Sequence, residues 1–191
     1  NYINDYLNGG TNVMDRTKVV ITGMGAITPL GIGSKNFWRE LLKGSSGVGP
    51  MTLCDPSPFP CQIAGEATDF DPLNYMDSKE SRRMARFSQL AVAAALEAIE
   101  SASLEINPQN SHRIGVLFGN GNGGFPTTEE GCRTLVEKGG MKVSPFFMPM
   151  ILPNMAASNV SRRLGVTGYN STVITACSAS NQAIGEALEV L

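Results

Sequence analysis

The chain has 191 residues, 42% hydrophobic and 17% charged, with 15 basic and 17 acidic side chains and a net charge of -2. Such a chain is long enough for one domain with a real core, or for part of a larger one, and its composition excludes a disordered polymer and a global basic field for nucleic acid. No apolar run approaches the roughly 20 residues of a membrane span.

The opening stretch, NYINDYLNGGTNVMD, has neither an apolar signal core nor an Arg-rich amphipathic pattern. The reading is a soluble, cytoplasmic protein. Residues 1–15 read as an N-terminal extension or linker, and 16–191 as the folded unit. KVVITGMGAITPLGIG (18–33) predicts a short buried strand entering a Gly/Pro loop. SKNFWRELLKG (34–44) predicts a helix capped by Ser34. The proline-rich stretch 47–72 predicts loop, with a short strand near 62–67. DSKESRRMARFSQLAVAAALEAIESA (77–102) predicts one long helix, capped by Ser78, with an alanine-rich packing face. RIGVLFG (113–119) predicts a second buried strand, and 127–138 a helix. In SPFFMPMILPNMAASNVSRRLG, three prolines confine regular helix to the part after about Asn154. STVIT (171–175) predicts a last strand that runs straight into the helix ACSASNQAIGEAL. This alternation predicts an α/β layered fold with a mostly parallel sheet between helices.

The corner between that strand and helix carries Cys177. A thiol at a helix start meets the positive end of the dipole and free backbone N–H groups, which favour thiolate over thiol and make a cysteine nucleophilic. The same amides can hold a developing oxyanion. Ala176, Ser178, Ala179 and Ser180 are small, so a substrate can approach closely. Spacing alone leaves a buried structural cysteine equally open. The other cysteines, Cys54, Cys61 and Cys132, form no C-x-x-C pair or Cys/His cluster, so no metal site and no secreted disulfide framework is expected. Each of the four has a small buried hydrophobe as its default role. His112, the sole histidine, precedes the second strand and is expected at the opposite end of the sheet from Cys177. The nucleophile therefore stands without an acid–base partner.

Two further features carry alternatives. Gly119, Gly121 and Gly124 satisfy G-x-G-x-x-G after a strand, the pattern of a dinucleotide turn. Pro126 follows at once and no acidic residue ends a strand some 20 positions later, so a tight loop, or the wall of another site, fits better. Lys79, Arg82 and Arg83, spaced i, i+3, i+4, can share one helix face. They make either a solvated stripe or a small cationic patch for a phosphate or an acidic protein.

VVITGMGAITPLG, SPFFMPMILPNMAAS and VITACSASNQAIGEAL, in this order, resemble the N-terminal half of the β-ketoacyl-acyl-carrier-protein synthases, the condensing enzymes of fatty-acid and polyketide synthesis. The resemblance runs from about Lys18 to Leu191. It implies a thiolase-like fold and makes 16–191 the N-terminal half of such an enzyme, ending after the nucleophile helix. It implies that Cys177 accepts the acyl chain as a thioester. Malonyl-carrier then decarboxylates, and its carbanion attacks that thioester to give a 3-oxoacyl-carrier product. Two histidines and a lysine of the family lie in a C-terminal half with motifs such as H-G-T-x-T, absent here, so the fragment alone is expected not to condense. One side of it is also expected to expose apolar surface.

By the same resemblance Lys79, Arg82 and Arg83 meet an acidic acyl carrier protein, whose phosphopantetheine carries the substrates; no other cofactor is implied. Asn122 and Phe147 fall at acyl-pocket positions. Asn122 replaces an apolar gate residue frequent in members that take long chains, and Phe147 reaches toward a partner subunit. The strand before Cys177 is expected to pair with its symmetry mate in a homodimer. Alternatives are a non-catalytic partner subunit or truncated scaffold, which usually lacks the cysteine, a polyketide-type ketosynthase, and a cysteine hydrolase or thiolase.

Overall fold

The computed structural model describes residues 18–191; the expected extension at 1–15 lies outside the described residues. Residues 18–26 form no strand, and Val20 and Ile21 are 72% and 82% exposed. The predicted first strand is thus corrected. A strand needs a hydrogen-bonded neighbour, and none pairs with this stretch among the described residues. Its glycines pack instead on a helix. A Cβ on Gly25 would collide with the Ala94 carbonyl, so only glycine admits this approach.

Two small antiparallel pairs follow. β1 (Ile27–Thr28) pairs with β2 (Gly31–Ile32), and β3 (Val48–Pro50) pairs with β4 (Ile63–Gly65) across the proline-rich loop. Between them lies α1 (Ser34–Leu42). Its N-cap is Gly33, at φ 93°, and not Ser34. Ser34 instead donates its N–H (2.6 Å) and hydroxyl (2.8 Å) to Glu97 Oε1, while Ala26 N–H donates to Glu97 Oε2 at 2.8 Å. One carboxylate therefore satisfies amides that a terminal side chain would otherwise cap. Burial pushes the Glu97 carboxyl up, but these hydrogen bonds outweigh it and hold it below the usual range.

The single helix predicted over 77–102 is two helices, α2 (Ser78–Ser81) and α3 (Arg86–Ser101). The cap of α2 is Asp77, not Ser78. Its carboxylate accepts from the N–H groups of Lys79 and Glu80, both at 2.8 Å. The break follows because Met84 and Ala85 turn into the core, each 3% exposed, and Ala85 takes an extended conformation (φ -68°, ψ 158°). Lys79, Arg82 and Arg83 consequently do not share one helix face.

Next come β5 (Val116–Gly119), α4 (Phe125–Lys138) with Pro126 in its first turn, α5 (Phe147–Ile151), and α6 (Met155–Leu164), which ends at left-handed Gly165. β6 (Asn170–Val173) and α7 (Ala179–Val190) close the chain. β5 and β6 pair in parallel, Val116 opposite Asn170 and Gly119 opposite Val173. This is the parallel unit expected from the sequence, but it has two strands, and the other pairs are antiparallel, so a mostly parallel sheet is not what these residues form. The core joins Met76, Met84, Ala91, Val92, Ala156 and Val160, where α3 packs on α6. The alanine face of α3 permits that close approach, as its sequence predicts.

Candidate active site

β6 ends at Val173, two residues before the predicted end of the strand. Thr175 leaves the ladder (φ -134°, ψ 40°), and Ala176 takes a left-handed φ of 49°. A left-handed non-glycine residue costs on the order of 1–2 kcal/mol, and such strain gathers at functional sites. This turn lifts Cys177 off the strand end into a 3-10 turn, Ala176–Ser178, just ahead of α7. The first hydrogen bond of the turn runs from Ser178 N–H to Thr175 O at 3.1 Å. The Cys177 N–H stands one residue ahead of it, among the amides a helix start leaves unused. Cys177 is exposed, as are Cys54, Cys61 and Cys132, which corrects the default reading of buried thiols.

The glycine loop lies against this corner. Gly119 and Gly121 face the start of α7 and Ala176: a Cβ on Gly119 would collide with the Ala179 carbonyl, and one on Gly121 would stand 3.9 Å from Ala176 O. Buried Asn120 donates from Nδ2 to Pro153 O at 2.9 Å, tying the loop to the entry of α6. Gly123 and Gly124 have φ of 67° and 66°. The loop is therefore a tight, left-handed wall beside Cys177, and the pattern is not a dinucleotide turn. His112 lies in the 3-10 turn before β5. Because β5 and β6 are parallel, it sits at the opposite end of the pair from Cys177.

The two expected pocket residues are separated. Phe147 lines a cavity of about 410 Å³ with Thr127, Glu130, Gly131, Thr134 and Met150. Its ring lies on Gly131, where a Cβ would clash. Asn122 is exposed in the glycine loop and does not line that cavity.

Lys79 and Arg83 converge on a second groove of about 510 Å³, floored by Met84 and Asn159. Arg82, the C-cap of α2, is exposed and lies outside it. Arg83 stacks over Phe146, 4.5 Å from the ring centroid. Sequence reasoning missed Arg162, which enters the groove from α6 and meets Glu80 at 3.3 Å. Its only sequence signal, the Arg162-Arg163 pair in a last helical turn, reads equally well as a complement to the helix dipole.

Residues 16–191 match the family model described as "Beta-ketoacyl synthase, N-terminal domain". The "3-oxoacyl-[acyl-carrier-protein] synthase 2" of Staphylococcus aureus (strain COL) is 44% identical over 174 residues, covering 91% of this chain and 42% of that protein. The enzyme of the same name from Synechocystis sp. is 42% identical over 178 residues, covering 93% of this chain and 43% of its own. The chain thus spans well under half the length of these curated relatives. Among solved structures, a β-ketoacyl synthase from Burkholderia phymatum STM815 superposes with a TM-score of 0.75 at 29% identity, over 89% of this chain and 42% of that one. From the match over 16–191, the relatives and the shared fold, the chain belongs to the β-ketoacyl synthase family.

Proposed function

We propose that this chain supplies the acyl-accepting half of a 3-oxoacyl-acyl-carrier-protein synthase of fatty-acid synthesis. The observation that carries this reading is the exposed Cys177 at the left-handed corner between β6 and α7, beside the glycine loop. The Cys177 thiolate attacks the acyl carbonyl of an acyl-carrier thioester. The bond to the phosphopantetheine sulfur breaks, and the released thiolate takes a proton. Malonyl-carrier then loses CO2, and the carbanion attacks the Cys177 thioester, freeing the cysteine and leaving a 3-oxoacyl-carrier. The Cys177 amide is one oxyanion donor. By the resemblance, two histidines and a lysine from a C-terminal half complete the site.

The remaining assignments follow the same reading. Lys79, Arg82 and Arg83 receive an acidic acyl carrier protein, a partner consistent with the relatives' name. The free edge of β6, which has β5 as its one neighbour among the described residues, supports pairing with its mate in a homodimer. Phe147 belongs to the acyl pocket, and Asn122, which lies apart from the cavity that Phe147 lines, makes the loop beside Cys177 more polar. The β5–β6 pair is the seed of the larger layered, thiolase-like sheet. Among the described residues no helix is long and apolar enough to cross a membrane, which accords with a cytoplasmic enzyme. The substrates ride on phosphopantetheine, and no further cofactor is needed for the steps above.

The test supplies acyl-carrier and malonyl-carrier to the full-length protein and follows the products by mass spectrometry. The expected result is CO2 release with a 3-oxoacyl-carrier, and no 3-oxoacyl-carrier from Cys177→Ala or from residues 1–191 alone. Condensation by the isolated 191-residue chain, or by Cys177→Ala, overturns the assignment.

A further inference from the structure

The groove between α2 and α6 holds three cations and two carboxylates, and these differ in what they already do. Among the described residues Lys79 and Arg83 form no ion pair, whereas Arg162 is paired with Glu80. Asp77 spends its carboxylate on the amides that start α2. Arg163, next in sequence, does not line the groove and donates to Tyr75 O at 3.2 Å. Arg162 is therefore the only arginine of α6 aimed at the groove, and Glu80, which lies between the two free cations in sequence, is what occupies it.

We propose that Arg162 is a further docking cation, the third in this groove, held in reserve by Glu80 and released when a carboxylate of the incoming carrier protein replaces Glu80. The inference rests on the carrier reading above and deepens it. An exposed ion pair is weak, because solvent and salt screen it and two long side chains must be held still. Exchanging one carboxylate for another at Arg162 therefore costs little. Glu80 also repels the anion approaching Lys79 and Arg83. It thereby sets how strongly the groove holds its partner and favours a partner able to offer an additional acid at the α6 side. Arg162 comes from α6, whereas Lys79 lies in α2 and Arg83 in the break after it, 79 residues before Arg162, so Arg162 reads the orientation of the partner as well as its charge.

Carrier binding to the full-length protein is measured by fluorescence anisotropy at fixed, low ionic strength. Arg162→Ala is expected to weaken it about two- to five-fold, the scale of an exposed ion pair, and Arg162→Lys to restore most of the loss. Glu80→Gln is expected to tighten binding by a similar factor, with the gain clearly smaller when Arg162→Ala is also present, because only the relief of repulsion then remains. A gain of undiminished size in the double variant shows that Glu80 acts by repulsion alone and overturns the reserve role. So does unchanged binding by Arg162→Ala while the double reversal Lys79→Glu and Arg83→Glu still weakens it. If that double reversal changes nothing, the carrier reading itself fails and this inference with it.

Discussion

Helices α6 and α7 both pack on the β5–β6 pair, and they use it differently. The sequence of α6, MAASNVSRRL, is polar, yet it buries Ala156, Ala157, Asn159 and Val160 against α3 and the strands. The sequence of α7, ASNQAIGEALEV, is more apolar, yet only Ala179 and Ala183 are buried, and Ile184 and Leu188 stay 68% and 53% exposed. Burial is thus set by which neighbours a helix has, not by how apolar it is. The α6 side is a finished interface built on alanines. The α7 side carries the exposed Cys177 just ahead of its start and an uncovered apolar stripe behind it.

The sharpest way to break this comparison is at the exposed end of it. Cys177→Ala is expected to lower acyl transfer by about a thousand-fold or more while moving folding stability by less than about 0.5 kcal/mol, since its side chain is exposed. Parallel turnover and urea-denaturation measurements check both halves of that statement. A large loss of stability would make Cys177 a structural residue. The finished interface should behave in the opposite way. Ala156, at 0% exposure, has no room to grow, so Ala156→Leu is expected to cost about 1–3 kcal/mol. Ile184→Ser in the 191-residue chain is expected to stay within about 0.5 kcal/mol and to raise solubility, because it removes exposed apolar surface. Equal costs at the two positions would erase the contrast between the helices.

A smaller effect is expected at Glu97, which ties the loop before α1 to α3. Its carboxyl is held below the usual glutamate range by the Ala26 and Ser34 hydrogen bonds. The stabilisation is therefore complete above that range and is lost as pH falls through the lowered folded value. Glu97→Gln is expected to cost about 1 kcal/mol at neutral pH and to flatten the acid limb of the stability curve. A variant with an unchanged acid limb would remove Glu97 as its source.

The same comparison explains what was legible in the sequence. The parallel β5–β6 unit, the helix after Asn154 and the position of Cys177 on a corner could be read because each is fixed by local pattern. The glycine loop could be read as a wall because close approach and positive φ leave glycine as the residue that fits. What failed depended on distant partners. Residues 18–22 have a strand's composition but, among the described residues, no neighbour to pair with. Ser34 looks like a cap, but Glu97, sixty-three residues away, takes that role. The break between α2 and α3 reflects the burial of Met84, which helical spacing alone predicts as one more turn. Arg162 joins Lys79 and Arg83 only through the packing of α6 on α3.

The central claim is that Cys177 is the acyl-accepting nucleophile. It is tested most directly by mixing the full-length protein with acyl-carrier protein, without malonyl-carrier, and mapping the acyl group by peptide mass spectrometry. The account predicts one hydroxylamine-labile acyl group on the peptide containing Cys177, blocked by prior treatment with a cerulenin-like acyl mimic. Acylation at Cys54, Cys61 or Cys132 with Cys177 unmodified would contradict it.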